Sequence, residues 1–145
     1  MNDFSVSVAK IAQILDLKNF TDNIDLKKIK ITSSDVNRPA LQLTGYFAHF
    51  EQSRIQMIGN VEYAYIQQMS DEEKRIRYSA FLQFEIPCVI FCRDLQPDAI
   101  FIEQAEKNHV PILGTSRPTS EFMAELIYTL AEKLAPSITV HGVLV

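Results

Sequence analysis

Two short apolar runs in the second half of the chain restrict its fold more than any other feature of the sequence. Residues 87–92 read Pro-Cys-Val-Ile-Phe-Cys, and residues 110–115 read Val-Pro-Ile-Leu-Gly-Thr. An unbroken apolar run is typical of a strand that is covered on both faces of a parallel sheet. Parallel neighbours need a crossover connection, and we therefore predict two buried strands joined by a helix.

The chain from residue 54 onward continues this alternation of strands and helices. A strand is predicted over residues 54–59, and Asn60 is placed to cap a helix that extends to about residue 68. Ser70 and Glu73 match a capping box, which predicts a second helix to about residue 84. We expect the first of these helices to bury Val61, Ala64 and Tyr65.

Two more helices are predicted from proline and from apolar spacing. Pro97 suits the first turn of a helix between the two apolar runs, and Thr119 or Ser120 is expected to cap the final helix. The expected inward positions are Ala99, Ile102 and Ala105 in the former and Met123, Leu126, Ile127, Leu130 and Leu134 in the latter. The sequence therefore predicts one α/β domain with a mixed, mostly parallel sheet and helices on both faces.

The first half of the chain has weaker periodicity and one distinctive segment. Ser7 is expected to cap a short helix, and residues 29–32 fit a short strand. The segment 33–47 is rich in side chains that bond to backbone, and its glycine is expected to adopt a positive φ. These residues are Ser34, Asp35, Asn37, Thr44 and Gly45. Such a segment either positions a ligand or satisfies its own hydrogen bonds, and the second use is the commoner one.

Composition excludes several classes of protein. Of 145 residues, 47% are hydrophobic and the net charge is −4, which fits a globular domain and argues against a general nucleic-acid-binding surface. No apolar run approaches the roughly 20 residues that span a bilayer, and a signal-peptide pattern is absent. Cys88 and Cys92 would lie about 13 Å apart on one strand, too far for a disulfide. Together with too few ligands for a zinc site, this indicates buried thiols in the cytoplasm.

The segment after Pro136 is predicted to form a further strand. One face holds Ile138, Val140 and Leu144, and the other holds Thr139, His141, Val143 and Val145. The second face becomes apolar at the end of the chain. This change from polar to apolar is expected either for a strand that enters a second core or for a final strand buried in its own sheet. The chain accordingly divides into a domain over residues 1–135 and a strand over residues 136–145.

Sequence motifs for nucleotide chemistry are absent. The four glycines are too far apart to form G-x-x-x-x-G-K-[ST] or G-x-G-x-x-G, whose backbone amides hold phosphates. Arg93 and Thr115 each follow a buried strand, at the sheet edge where ligands of α/β proteins bind. They are candidates for holding an anion, although a surface role is the commoner one for arginine. His49 is expected at the surface and His109 at a helix C-terminus.

Several segments, taken in order, resemble one family. Residues 34–47 read S-D-V-N-R-P-A-L-Q-L-T-G-Y-F, residues 54–59 read R-I-Q-M-I-G, residues 93–97 read R-D-L-Q-P, and residues 134–145 read L-A-P-S-I-T-V-H-G-V-L-V. Together they resemble the N-terminal domain of the bacterial HPr kinase/phosphorylase over nearly the whole chain. Ala40 and Asp94 stand where that family usually has glycine.

This resemblance implies a cytoplasmic regulator of carbon catabolite repression. The full-length enzyme is a homohexamer that uses ATP and Mg²⁺ to phosphorylate a serine of the phosphocarrier HPr, and it reverses this reaction by phosphorolysis. Its N-terminal domain resembles the N-terminal domains of Mur ligases in fold. His141 matches the family's active-site histidine, but the P-loop lysine, catalytic aspartate and Mg²⁺ ligands have no counterparts. The resemblance therefore implies a chain that is inactive alone and holds no cofactor or metal.

The sequence leaves two functional hypotheses. The first is the N-terminal regulatory and interaction domain of that kinase, which would meet HPr only as part of the full-length enzyme. The second is a free-standing module for a nucleotide or sugar phosphate, whose site would be formed by Ser34, Asp35, Arg38 and Thr44 facing Arg93. A small hydrolase built on His141 and Asp35 ranks last because no nucleophile can be named for it.

Overall fold

The computed structural model describes residues 4–135 as a sheet with helices on both faces. In chain order the strands are β1 (Val6–Ser7), β2 (Lys18–Asn19), β3 (Lys30–Ile31), β4 (Val36–Asn37), β5 (Ile55–Ile58), β6 (Val89–Phe91) and β7 (Ile112–Gly114). The main sheet has the order β2-β7-β6-β5-β4, in which β4 to β7 are parallel and β2 is antiparallel to β7. The predicted fold class is confirmed.

Within residues 4–135, five helices cover the sheet. They are α1 (Val8–Ile14), α2 (Asn60–Gln67), α3 (Asp71–Leu82), α4 (Ala99–Lys107) and α5 (Thr119–Leu134), and 3₁₀ turns lie at Leu26–Lys28 and Gln42–Thr44. The predicted caps at Ser7 and Ser70 are confirmed, since each side chain accepts a hydrogen bond from a first-turn amide. The expected place of Pro97 in a first turn is wrong, because Asp98 caps α4 by accepting a hydrogen bond from the Phe101 amide.

The four parallel strands lie side by side in the same order as in the chain. Helices α2, α3 and α4 and the aromatic side chains of the segment between β4 and β5 pack on one face of the sheet, whereas α1 and α5 pack on the other. In open α/β sheets, ligands bind in a crevice where the strand order reverses. The order from β4 to β7 never reverses, so these strands form no crevice of that kind.

The two faces of the sheet bury different side chains. The α1/α5 face is mainly aliphatic, and it also takes both cysteines, which are buried and free as predicted. The opposite face is aromatic, with Tyr78, Phe91 and Phe101 stacked edge to face. All residues of β6 and β7 are buried, as the two apolar runs predicted, and all residues of β5 are buried as well.

The inward faces of three helices differ from the expected ones. In α2, Val61 is 69% exposed, and Tyr65 and Ala64 are also exposed, while Glu62 and Ile66 are buried. A buried glutamate is unusual, and a charged partner at the sheet edge accounts for it. In α4, Ile102 packs against the core as expected, but Ala99 is exposed and Phe101 is buried. In α5, Met123 packs against the core as expected, but Ile127 is exposed, and Phe122 and Thr129 are buried.

The remaining predictions on the first and last segments have separate outcomes. The strand expected at residues 29–32 is β3, which pairs with β1 in a two-stranded antiparallel sheet. The predicted strand after Pro136, with His141, Val143 and Val145, lies outside the described residues. Over residues 4–135, every helix is too short or too polar to cross a bilayer.

Candidate ligand site at the carboxyl edge of the sheet

The residues that follow the four parallel strands are polar or glycine. They are Arg38 after β4, Gly59 after β5, Cys92 and Arg93 after β6, and Thr115 after β7. Parallel strands end at the same edge, and this is where α/β folds place their ligands. The carboxyl edge is therefore the place to search for a site.

A buried ion pair joins β4 to the start of α2. The Arg38 guanidinium donates to Glu62 Oε1 at 2.8 Å, and the Glu62 side chain is only 3% exposed. The same carboxylate oxygen accepts a hydrogen bond from the Gly59 amide at 2.8 Å, as a residue in the first turn of a helix can. These bonds compensate the cost of burying the carboxylate and explain why α2 turns Glu62 inward.

Gly59 stands where two helix N-termini approach each other. A Cβ at this position would lie 2.7 Å from Thr119 Oγ1, in the first turn of α5, and 2.8 Å from the terminal nitrogen Nη2 of Arg38. Any side chain would overlap these atoms. Glycine is therefore required by close approach and not by its backbone angles, because its φ of −114° is open to all residues.

The Cys92 thiol lies among the same groups. Burial raises its pKa to about 11, because the thiolate would lose its hydration, while the nearby Thr119 hydroxyl and the charges of Arg38 and Arg93 oppose this rise. The Thr119 oxygen itself is buried and has no hydrogen-bond partner of normal geometry among the described residues, and the same is true of Arg38 Nε. Arg38 Nε is therefore a buried polar atom at this edge without a partner among the described residues, whereas the Thr119 hydroxyl interacts with the Cys92 thiol.

A tight turn after β6 fixes the position of Arg93. Arg93 and Asp94 have φ values of 60° and 59°, and the Leu95 amide donates to the Cys92 carbonyl, as in a type I′ turn. The Arg93 and Asp94 amides donate to the carbonyls of Arg117 and Thr115. Positive φ favours glycine, which agrees with the glycine that the family resemblance places at position 94. All three amides have carbonyl acceptors, so the turn offers none to an anion.

A cluster of three amide side chains holds the loop that follows β4. Asn37 Nδ2 donates to Gln42 Oε1 at 3.1 Å and to Gln56 Oε1 at 2.7 Å. The loop then turns at Gly45, whose φ of 98° confirms the predicted left-handed conformation. The polar side chains of this segment therefore serve mainly the fold.

Two cavities lie at opposite edges of the sheet. A small one of about 160 Å³ at the carboxyl edge is lined by Lys18, Phe20, Asp94 and Thr115, among others. A larger cleft of about 440 Å³ lies at the amino edge, where Lys28, Lys30 and His109 surround Pro87 and Val110. The larger cleft is thus at the edge opposite to the one that sequence reasoning favoured.

The predicted ligand-binding residues are not gathered in one place. Ser34 and Asp35 precede β4, and Asp35 pairs with Arg54 at 3.7 Å; Thr44 is exposed and donates to its own turn, at the Leu41 carbonyl. Arg38, Arg93 and Thr115 follow strands at the carboxyl edge. Ser34 and Asp35 thus lie at the opposite end of β4 from Arg38, and the set proposed for a sugar phosphate is not assembled as expected.

Other predicted residues have simpler outcomes. Thr115 is buried, and its Oγ1 accepts a hydrogen bond from the Arg117 amide, which is a structural use. His49 is exposed as expected, and His109 is exposed just after α4. His141 lies outside the described residues. Over residues 4–135, no three metal-ligating side chains cluster.

Three residues of this edge were missed from sequence. Glu62 was not singled out, Thr119 was expected only as a possible helix cap, and Gly59 only as the end of a strand. Sequence offers one weak signal, an acidic residue three positions after a strand-ending glycine. The contact between Gly59 and Thr119 joins residues far apart in the chain, and periodicity cannot detect it.

Comparison with known proteins assigns the chain to a family. The family model described as "HPr Serine kinase N terminus" matches residues 6–130. The HPr kinase/phosphorylase of Lachnoclostridium phytofermentans is 45% identical over 142 residues, which cover 98% of this chain and 46% of that protein. The enzyme of Caldicellulosiruptor bescii is 39% identical over 142 residues, again 98% of this chain and 46% of the relative. The chain thus spans about half the length of these relatives.

A solved structure shares the fold. It is the crystal structure of the CBS and DRTGG domains of the regulatory region of Clostridium perfringens pyrophosphatase, complexed with the activator diadenosine tetraphosphate, with a TM-score of 0.59 and 17% identity, over 92% of this chain and 52% of that one. This likeness supports the α/β architecture alone. The family match and the relatives extend across nearly all of the sequence, and the chain therefore belongs to the HPr Serine kinase N-terminus family.

Proposed function

We propose that the chain acts as the N-terminal regulatory and interaction module of an HPr kinase/phosphorylase. The observation that carries this proposal is the family match over residues 6–130 together with relatives of that name. In the full-length enzyme the module would serve a cytoplasmic homo-oligomer that uses ATP and Mg²⁺ to phosphorylate a serine of HPr. HPr would be met by the assembled enzyme and not by this chain alone.

The chemistry of the chain supports a role without phosphate transfer. Transfer of a phosphoryl group requires donors that cradle and neutralise the phosphates. The sequence has no glycine-rich phosphate loop. At the carboxyl edge, the turn amides after β6 already donate to carbonyl groups. The module would then contribute folding, assembly or regulation of the enzyme rather than its reaction.

A domain exchange tests the proposal. The matching region of the Lachnoclostridium phytofermentans enzyme, to which this chain is 45% identical, is replaced by this chain. We expect the chimera to phosphorylate HPr with ATP and Mg²⁺, and the isolated chain to leave HPr unmodified. The measurement is phosphoserine formation on HPr by mass spectrometry.

Two controls sharpen the exchange. An enzyme that lacks the matching region reports what the module adds, and we expect altered assembly or regulation without it. A chimera that folds but has the properties of this truncated enzyme would contradict the proposal. Phosphorylation of HPr by the isolated chain would contradict its non-catalytic role.

A further inference from the structure

We propose that the surface around the outer edge of β4 is an interface between two copies of this chain, related by two-fold symmetry. The contacts within the described residues carry this proposal, which is independent of the proposed role in the kinase. We call this surface the β4 face. Its exposed side chains are Leu41, Tyr46, Val61, Tyr65 and Ile76.

The β4 face collects large apolar side chains that are open to solvent. Within residues 4–135, five of the nine exposed large hydrophobic side chains belong to it. Val61 is 69% exposed and Ile76 is 60% exposed. Single exposed apolar residues are ordinary in globular proteins, whereas a group of them on one surface marks a site of interaction.

The loop after β4 brings three of the five side chains together. The Tyr46 amide donates to the Leu41 carbonyl at 3.1 Å, which holds these two residues side by side. A Cβ on Gly45 would lie 2.5 Å from Nη1 of Arg77, so the loop lies against α3 at this point. Ile76 precedes Arg77 in α3 and is therefore next to the loop.

Helix α2 completes the β4 face. The ion pair between Arg38 and Glu62 ties the start of α2 to the end of β4. Tyr63 faces the other way, because its hydroxyl donates to a carbonyl of the loop after β6. Val61 and Tyr65 are each two positions from Tyr63, which is about half a helical turn. They therefore lie on the side of α2 that is turned toward β4.

Strand β4 is an open edge of the main sheet. It is the last strand on this side, and its outer backbone groups have no strand partner among the described residues. Strand β2 at the opposite edge contains the exposed Lys18, whereas β4 consists of Val36 and Asn37 and contains no charged residue. Lysine commonly protects an edge strand from pairing with another chain. An unprotected edge beside apolar side chains is suited to such pairing.

Area and charge both favour a second copy as the partner. The exposed parts of the five side chains amount to roughly 500 Å², a patch of the size that is often functional in monomers. Two copies would bury about 1,000 Å² from these side chains alone, which reaches the area expected of a specific interface. None of the five is charged, so two copies meet without like-charge repulsion. A two-fold axis beside β4 would also pair the two edge strands.

Sedimentation of the 145-residue chain between about 5 µM and 500 µM tests the interface. We expect a reversible equilibrium between monomer and dimer. Val61→Glu and Ile76→Glu each place two negative charges in the contact, one from each copy. Each variant should raise the Kd at least about tenfold. Both side chains are exposed, so both variants should keep the fold, and circular dichroism verifies this.

The matched control lies on the other face of the sheet. Tyr128 of α5 is 70% exposed, and Tyr128→Glu introduces the same charge at another exposed apolar residue. We expect this variant to leave the Kd unchanged. A chain that stays monomeric at every concentration would overturn the proposal and leave the β4 face to a different protein. Equal weakening by Tyr128→Glu, or a dimer that persists in both variants of the β4 face, would overturn it as well.

Discussion

At its carboxyl edge the parallel sheet buries charged groups and pairs them, whereas at its amino edge charged groups surround an open cleft. Glu62, Arg38 and the Gly59 amide form one bonded unit at the carboxyl edge. Lys28, Lys30 and His109 are exposed around a cleft of about 440 Å³. We therefore expect the polar residues of the carboxyl edge to contribute more to stability than the exposed ones around the amino-edge cleft.

The largest effect should come from breaking the buried ion pair. Arg38→Met leaves the Glu62 carboxylate buried without its charged partner, and we expect it to lower the free energy of unfolding by about 3 kcal/mol. This is the low end for buried pairs, because Arg38 is 36% exposed and water can reach it. Urea unfolding followed by circular dichroism measures the change.

The matched control for this variant lies at the amino edge. Arg54 pairs with Asp35 and Glu51, both exposed carboxylates, so Arg54→Met should cost less than about 1 kcal/mol. Equal costs for the two arginines would remove the proposed difference between the edges.

The next effect should come from filling the space between the helix ends. In Gly59→Ala, the new Cβ would overlap Thr119 Oγ1 and the Arg38 Nη2, which forces both side chains to shift. We expect a loss of about 2 kcal/mol in unfolding free energy. Gly59→Ala combined with Thr119→Ala should recover part of this loss, and a double variant no more stable than the single one would show that the overlap is not the cause.

One buried cysteine lies at each edge, so the pH dependence of stability offers a further comparison of the two edges. Burial raises the pKa of Cys88, at the amino end of β6, to about 12, and that of Cys92, at the carboxyl end, to about 11, from an ordinary value of 9.0. The neutral thiols therefore stabilise the fold fully below pH 9, and this stabilisation is lost as pH rises toward the folded pKa values.

The free energy of unfolding, measured between pH 8 and pH 10.5, tests these two pKa values. Each buried thiol should contribute a loss of about 1.4 kcal/mol per pH unit above 9 until its own pKa is reached. Cys88→Ala should flatten this alkaline loss at least as much as Cys92→Ala. Earlier reaction of Cys88 than of Cys92 with a thiol reagent in the folded chain would reverse the expected order.

The smallest effect should come from the amino-edge cleft. Lys30 is exposed and has no ion pair with a described residue, so Lys30→Met should change the unfolding free energy by less than about 0.5 kcal/mol. Thermal unfolding by calorimetry measures it. A larger loss would mean that the cleft residues support the fold as the carboxyl edge does.

Prediction from sequence was most successful where a structural feature is determined by residues that are neighbours in the chain. The buried runs in β6 and β7 and the capping box of Ser70 and Glu73 depend on neighbouring residues only. The inward face of α2 was wrong because Glu62 is buried by Arg38, which lies 24 residues away. Helix periodicity assigns a glutamate to solvent, and only the tertiary partner reverses that preference.

The shortest strands and the contacts at the carboxyl edge could not be predicted from the sequence. Strands β1, β2 and β4 have two residues each, too few to show an alternating pattern. At the carboxyl edge, Gly59 and Thr119 approach each other from distant parts of the chain, which sequence spacing does not reveal. Arg93 was identified as a candidate because it follows a buried strand, and that rule does depend on local sequence.

The pairing of β2 with β7 has a consequence for synthesis on the ribosome. Thr21 Oγ1, just past β2, accepts a hydrogen bond from the Ile112 amide, 91 residues further along the chain. Strand β2 therefore has no partner strand until β7 has been translated. Closing so long a loop is slow, and assembly of the nascent domain is expected to finish with its oldest residues.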